Sequence, residues 1–181
     1  MPRPDCIPRP RQYVLDLASG TVTYEDLRDE KAGDVGAVAA RMELPRINDQ
    51  FARRAHCFVY GLVMNVGAPE LWAAAGISKF DLCGGGGSKV WSADDHYPSE
   101  PIFVARPGAT AEDDGVILSS VLDGAAGKSY LLVLDARTFE PVAKSAHTPV
   151  AVPFSFHGAF YGDAEQGARG RSGGGAGSGF G

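Results

Sequence analysis

The sequence has few cysteines, no long hydrophobic run and no excess of positive charge. Its three cysteines, Cys6, Cys57 and Cys83, lie far apart and form no C-x-x-C pair, so we expect neither a zinc cluster nor a disulfide framework. This cysteine usage predicts a reducing compartment. No apolar run approaches the roughly 18 residues that would span a membrane. The proline-rich start lacks the apolar centre of a signal peptide, which predicts a protein that is not secreted.

The charge balance argues against nucleic acid as a partner. The 181 residues carry 17 Lys and Arg against 22 Asp and Glu, a formal net charge of −5, and the basic residues are scattered along the chain. The composition, 44% hydrophobic and 22% charged, is that of an ordinary folded protein. The sequence therefore predicts at least one domain with a core.

Helix-forming segments are also scarce. Residues 34–40 and 68–75 are the only plausible helices, and both are too short to organise a domain. Short runs of β-branched and aromatic residues, separated by turn residues, recur instead and predict an all-β fold. These runs are RQYVLDL, TVTYEDL, AHCFVYGLVMN, GISKFDL, SKVWSA, PIFVA, GVILSSVL, SYLLVLDA and PVAVPFSF.

A weak repeat indicates how the strands are organised. Asp16, Asp81 and Asp135 each end a strand at a turn, at separations of 65 (16 to 81) and 54 (81 to 135) residues. Such spacing fits a β-propeller better than a sandwich, which stays open as an alternative. About three blades are predicted, whereas propellers close with about 4 to 8, so we expect the chain to be part of a larger propeller.

Composition divides the chain into three regions. Residues 1–10 contain four prolines and are expected to be extended, and residues 162–181 form a Gly/Ser-rich tail that is expected to be disordered. Residues 11–161 are the expected ordered body, a partial propeller domain.

Two loops could be mistaken for ligand sites. The run Gly84–Gly87 lacks the Gly-Lys-Ser/Thr order of a phosphate-binding loop and precedes a strand, so it is interpreted as a hairpin loop. The cluster Glu112–Gly115 does not have the spacing of an EF-hand and is interpreted as a turn.

One of the four histidines stands out. His56, His96 and His147 lie among polar or loop residues and are interpreted as structural. His157 ends a predicted strand over 150–157 and faces away from its large apolar residues, with Gly158 next to it. That face of an inner propeller strand would look into the central channel, where a metal ion could be held. The apolar face would hold Val150, Val152, Phe154 and Phe156.

Two glutamates occupy related settings. Glu43 in MELPRIN and Glu100 in YPSEPIFV each lie beside proline and an apolar run, where an ionised carboxylate needs a partner. An alternative is a salt bridge at a strand edge.

Several segments together resemble the C-terminal part of the carotenoid cleavage oxygenases, the family that also includes the retinal pigment epithelial membrane protein. They are RQYVLDLASGTV, MELPRIN followed by FVYGL, YPSEPIFVARPGATAEDDGVILS, SYLLVLDARTFEPVA and VPFSFHGAF. The resemblance implies the C-terminal blades of a seven-bladed β-propeller whose axis holds a non-haem Fe(II) on four histidines.

The resemblance also implies roles for individual residues. His157 matches the last iron ligand, and Glu43 and Glu100 match glutamates that hydrogen-bond the ligand rings and fix their tautomers. Phe154 would line an apolar substrate tunnel, and Phe156 would pack in the core. The implied substrates are dioxygen and a carotenoid or apocarotenoid, cleaved oxidatively at a conjugated double bond to carbonyl products.

The sequence departs from the family in one respect. His56, His96 and His147 do not match the motifs of the other three iron ligands, so the isolated chain is expected to be inactive without N-terminal blades. Alternatives are a propeller remnant that binds apolar polyenes or a partner chain, and a stilbene-cleaving or retinoid isomerase activity at the same centre. Residence in the cytosol or a plastid and peripheral contact of the intact protein with a membrane are further expectations.

Overall fold

Strands dominate the structure, a computed structural model that describes residues 9–64 and 74–162. In these two ranges, eleven strands accompany one α-helix and two 3-10 turns, which confirms the all-β prediction. No helix in the described ranges is long and apolar enough to cross a bilayer. The elements are β1 (Arg11–Asp16), β2 (Thr21–Asp26), α1 (Gly33–Ala39), β3 (Met42–Arg46), β4 (Phe58–Met64), β5 (Ala75–Asp81), β6 (Lys89–Ser92), β7 (His96–Pro98), β8 (Ile102–Ala105), β9 (Gly115–Asp123), β10 (Lys128–Asp135) and β11 (Pro141–Lys144), with 3-10 turns at Glu30–Ala32 and Asp49–Phe51.

The first large sheet is a four-stranded meander. Strands β3, β4, β5 and β6 pair in sequence order, each antiparallel to the next. Strand β5 is buried along its whole length, because α1 covers one face of the sheet and a second sheet covers the other. This is the four-stranded unit from which propeller blades are built.

The second large sheet is a meander with one interrupted strand. Its order is β11, β10, β9 and then β7, while β8 also pairs with β9. Strand β7 pairs with the last residues of β9 and β8 with the first, so β7 and β8 act as one strand broken at residues 99–101. Pro98 directly precedes the break and Pro101 is its last residue, and neither has an N–H to donate to a ladder. Glu100 lies in this break.

The main core lies between the two sheets. Tyr60 and Ile77 of the first sheet pack against Ile117, Val121 and Leu134 of the second. Because these side chains are fully buried, they hold the two meanders face to face.

A buried ion pair crosses the same interface. The Lys79 side chain on β5 is 2% exposed, and its Nζ lies 2.8 Å from Asp113 Oδ2 and donates to the Ala136 carbonyl oxygen at 2.9 Å. The Nζ also lies 3.9 Å from the centre of the Phe58 ring. The ammonium is therefore fully partnered, as a buried charge must be.

The aspartate repeat is real. Asp16, Asp81 and Asp135 each accept hydrogen bonds from backbone amides two or three residues further on, at the turn after a strand. The backbone amide of Thr138 holds the pKa of Asp135 below its usual range. Each aspartate thus ends its strand by fixing the turn.

The glycine loop joins β5 to β6, as its interpretation as a hairpin loop required. The amides of Gly85 and Gly87 both donate to Asp81 Oδ2, and those of Gly86 and Ser88 donate to the carboxylate of Asp29. These amides bind carboxylates of the chain itself, so they are not free to hold a phosphate. The acidic cluster is a turn, in which the Glu112 carboxylate accepts from the amides of residues 57 and 58.

Strands β1 and β2 form a separate hairpin. They pair only with each other, and Val14, Leu15, Leu17 and Val22 are exposed on the hairpin. Tyr13 and Tyr24 face each other across the two strands with ring centres 5.9 Å apart. In the described part of the chain, the hairpin is held mainly by its own ladder.

The predicted strand over 150–157 is wrong, because this segment is irregular in the structure. Pro153 removes one of the amides that a ladder would need, and Pro149 directly precedes the segment. The predicted helix over 34–40 is confirmed as α1, whereas the one over 68–75 lies almost wholly outside the described residues, as do segment 1–10 and the tail after residue 162.

The expectation of no disulfide is also wrong. Cys57 and Cys83 are bonded, with Cα atoms 5.1 Å apart. Cys57 immediately precedes β4 and Cys83 follows β5, and the backbone amide of Leu82 donates to the Cys57 carbonyl oxygen. The antiparallel pairing of β4 with β5 brings together cysteines that are 26 residues apart in sequence.

Replacing Lys79 by Met should lower the free energy of unfolding by about 3 kcal/mol, because the substitution leaves the largely buried Asp113, 16% exposed, with only Arg137, whose Nε lies 3.6 Å from Oδ1. Urea unfolding measures this. Lys128→Met is the control, since Lys128 is exposed, and it should change the stability by less than about 0.5 kcal/mol. Equal effects of the two substitutions would contradict the structural role of the buried pair.

Reduction of the protein should cost about 3 kcal/mol of stability, because Cys57–Cys83 closes a loop of intermediate length. Thiol titration under denaturing conditions should gain two thiols on treatment with dithiothreitol. An unchanged thiol count and an unchanged urea midpoint would mean that the two cysteines are not bonded.

Candidate metal-binding site

The candidate site is built on Glu100, which projects from the break between β7 and β8. Its side chain is 4% exposed, and Oε1 lies 3.1 Å from Nδ1 of His157. Glu100 Oε2 accepts a hydrogen bond of 3.0 Å from the backbone amide of Gly158. One carboxylate therefore binds both the ring and the backbone at the predicted metal ligand.

Arg46 completes the surroundings of this carboxylate. Its Nε lies 3.7 Å from Glu100 Oε1, and its Nη2 donates to the carbonyl oxygen of Gly158. A buried carboxylate is costly unless it is paired and hydrogen-bonded. Glu100 meets this requirement with three partners, two of which belong to the segment that it holds.

The segment that carries His157 is held by side chains along its length. The hydroxyl of Ser129 on β10 donates to the Val152 carbonyl oxygen and accepts from the Val152 amide. Ser99 Oγ accepts from the amide of Ser155 at 3.3 Å. These contacts replace the ladder of a regular strand.

The Glu100 contact fixes the tautomer of His157. An ionised carboxylate only accepts hydrogen bonds, so Nδ1 carries the proton and the lone pair is on Nε2. The His157 side chain is 79% exposed, and Nε2 is on the ring edge away from Glu100. A neutral imidazole oriented in this way by a carboxylate is the arrangement in which histidine binds transition metals. These two residues fit one ligand of an iron centre and its supporting group.

Glu43 is not brought to His157 by any hydrogen bond or ion pair of the described residues. It lies exposed on β3, directly before a register shift in the β3–β4 ladder. Of the two glutamates predicted to support the metal, the structure therefore joins Glu100 alone to the ligand.

The other histidines bind elsewhere. His147 Nε2 lies 3.0 Å and His96 Nε2 3.9 Å from the same oxygen of Asp123. The backbone amide of Ala126, together with His147, holds the pKa of Asp123 below its usual range. His56 Nδ1 contacts the carbonyl oxygen of Arg54. Each has a partner away from His157, as expected for structural histidines.

One other cluster has the residue types of a metal site. In residues 9–64 and 74–162, only one group of three or more such residues has its ligand atoms within 4.8 Å of one another. It consists of Cys57, Asp81 and Cys83. Both sulfurs are in the disulfide, and both Asp81 oxygens accept backbone amides. The cluster is therefore structural.

Aromatic residues surround the His157 segment. The rings of Phe154 and Phe156 meet edge to face, with centroids 5.5 Å apart. Phe156 is 62% exposed, so its predicted place in the core is wrong. Val150, Phe160 and Tyr161 are exposed along the same segment. Phe154, the predicted tunnel residue, is half-buried.

The fold and this geometry define a protein built of four-stranded antiparallel meanders, with an exposed imidazole oriented by a buried carboxylate. Comparisons with known proteins agree. The family profile of the retinal pigment epithelial membrane protein matches residues 3–162. The chain therefore belongs to the carotenoid cleavage oxygenase family, which includes that protein.

Individual relatives support the assignment. The chain is 39% identical over 151 residues to the mitochondrial carotenoid-cleaving dioxygenase of Pongo abelii, covering 81% of this chain and 25% of that protein. It is 43% identical over 117 residues to a carotenoid dioxygenase of Neurospora crassa, covering 65% of this chain and 18% of that protein. The chain thus spans about a quarter or less of the length of these curated relatives.

Solved structures agree on the fold. A variant of Synechocystis apocarotenoid oxygenase superposes with a TM-score of 0.66 at 27% identity, over 83% of this chain and 29% of that one. The cobalt-substituted form of the same oxygenase superposes with a TM-score of 0.65 over the same shares of the two chains. The two meanders are accordingly part of an all-β propeller.

Sequence reasoning missed Arg46, Ser99 and Ser129. Arg46 and Ser99 lie in the quoted segments MELPRIN and YPSEPIFV, but only the glutamate of each was singled out there. No sequence pattern indicates Ser129, because its hydrogen bonds to the backbone of Val152 depend on where that residue passes β10.

Replacing Glu100 by Ala should lower the free energy of unfolding by about 3 kcal/mol, because the amide of Gly158 and the guanidinium of Arg46 lose a charged acceptor. Glu43→Ala is the matched control and should cost less than about 0.5 kcal/mol, since Glu43 is exposed. Urea unfolding of both variants measures the difference. A cost at Glu43 as large as that at Glu100 would contradict the contacts described here.

Proposed function

We propose that the protein carrying this chain is a non-haem Fe(II) dioxygenase that cleaves a conjugated double bond of a carotenoid or apocarotenoid to carbonyl products. The observation that carries the proposal is the 3.1 Å contact between Glu100 Oε1 and Nδ1 of an otherwise exposed His157. Relatives named as carotenoid-cleaving dioxygenases support the choice of reaction.

In this proposal, His157 supplies one iron ligand through Nε2. Glu100 holds the proton of the ring on Nδ1, which keeps the Nε2 lone pair available and makes it more basic. Iron, when bound, would supply the redox chemistry by which both atoms of dioxygen are added across the double bond. The role of this chain's residues is to orient the ligand and to form part of an apolar surface beside it.

The remaining iron ligands belong to the proposal as well. One imidazole does not hold Fe(II) against water, and the other histidines of the described residues bind elsewhere. We therefore propose that three further histidines come from other parts of the whole protein, and that the 181-residue chain alone is inactive. Glu43 would accept a hydrogen bond from the ring of one of those histidines, because its carboxylate is exposed on β3.

The choice of an apolar substrate is supported by the exposed apolar side chains near His157. Val150, Phe156 and Phe160 are at least half exposed around His157, and Phe154 lies next to Phe156. A polyene is a long, flat and apolar ligand, and such side chains could line the tunnel that holds it. Stilbene cleavage and retinoid isomerisation would use the same centre and are the alternatives within the family.

A second candidate function is binding without catalysis. The same exposed apolar residues, together with those of the β1–β2 hairpin, would bind a polyene or a partner chain if no iron were held. Iron content separates the two candidates, because only the dioxygenase requires it.

The first test is made on the native protein, captured with an antibody raised against residues 11–161. Its mass should be well above the 19.0 kDa of this chain. In that protein, His157→Ala should abolish most iron binding and aldehyde formation, and Glu100→Gln should weaken iron binding by about 10- to 100-fold.

His56→Ala is the control, because His56 contacts only a backbone carbonyl oxygen among the described residues. It should keep iron and activity. Full iron content in His157→Ala, or a native protein of about 19.0 kDa without iron, would refute the dioxygenase and favour the binding function.

A further inference from the structure

Residues 149–162 have no ladder partner, although they carry the candidate ligand; the backbone pairing with β10 ends at Thr148, whose amide donates to the Ser129 carbonyl oxygen. In the described ranges they contain no strand or helix, and their backbone is held at a few points by side chains of other elements. The position of His157 therefore depends on individual side chains, and each of these is a candidate positioning residue.

Arg46 contacts the segment directly after His157, at Gly158. Its guanidinium bridges the Gly158 carbonyl oxygen and the Glu100 carboxylate, which in turn binds the Gly158 amide and the His157 ring. The four groups form a closed network around Gly158, the residue that follows the candidate ligand. Opening any one of them loosens the others, because they share the same carboxylate.

A bulge in the first sheet places Arg46 in reach. Glu43 pairs with Leu62 and Arg46 pairs with Tyr60, so three steps on β3 match two on β4. The extra residue turns Arg46 to the face of Tyr60, which packs against the second sheet. Leu44 takes a positive φ of 52° in this bulge. Without the extra residue, the guanidinium would face away from Glu100.

We propose that Arg46 is a positioning residue for His157, acting by clamping the Gly158 peptide against Glu100. The importance of Arg46 for an iron site depends on the function proposed above. The clamp on Gly158 does not depend on that function. Arginine suits this task because its planar fork can donate to a carbonyl oxygen and pair with a carboxylate at once.

The test is amide hydrogen exchange of the full 181-residue chain, resolved by residue with NMR. Arg46→Met should speed exchange of the Gly158 amide by about tenfold, because the bond to Glu100 opens more often when the clamp is lost. The Val152 amide should exchange at its original rate, since Ser129 holds it independently. Arg46→Lys should recover part of the protection, because lysine keeps the charge but lacks the fork.

Arg106→Met is the matched control, because Arg106 forms its ion pair with Asp114 at the surface, in the turn that joins β8 to β9. It should leave the Gly158 amide unchanged. Unchanged exchange at Gly158 in Arg46→Met, or an equal rise at Val152 and in β9 and β10, would overturn the proposal. The two proposals can fail separately. If His157→Ala keeps its iron in the native protein while Arg46→Met speeds exchange at Gly158 alone, the proposed function is refuted and the Arg46 clamp stands.

Discussion

The structure of the candidate site depends on one buried carboxylate. Burying a carboxylate is costly unless donors surround it, and the donors of Glu100 come from the segment around His157 and from Arg46. The irregular segment, for its part, has no ladder to hold it in place. The carboxylate and the segment therefore stabilise each other, and the orientation of the exposed imidazole is a consequence of this pairing.

Departures from regular β-structure create the site. The break between β7 and β8, preceded by one proline and ending in another, gives the Glu100 backbone no ladder partner of its own, and the bulge in β3 turns Arg46 towards the second sheet. The regular parts have a different task. The apolar core between the sheets and the buried Lys79–Asp113 pair fix how the two meanders face each other. The placement of His157 thus rests on a rigid frame with local irregularities.

Much of the frame could be predicted from sequence, because strand period and turn chemistry are local properties. The aspartates at 16, 81 and 135 marked real strand ends, and the glycine loop was a hairpin. Family resemblance indicates His157 as a ligand and Glu43 and Glu100 as supporting glutamates, but only the structure shows that Glu100 is the one that contacts His157. Three features could not be predicted: the irregular path of residues 150–157, the Cys57–Cys83 bond and the Arg46 contact. Each depends on which distant elements meet, and the alternating apolar pattern of 150–157 carries no information about a missing ladder partner.

The most direct test of this account is the ring tautomer of His157, measured by the ¹⁵N chemical shifts of its two nitrogens in the folded chain at a pH where the imidazole is neutral. We expect a proton on Nδ1, donated to Glu100, and an unprotonated Nε2; Glu100→Gln should disturb this preference. A proton on Nε2, or shifts averaged as in a free imidazole, would mean that Glu100 does not orient the ring.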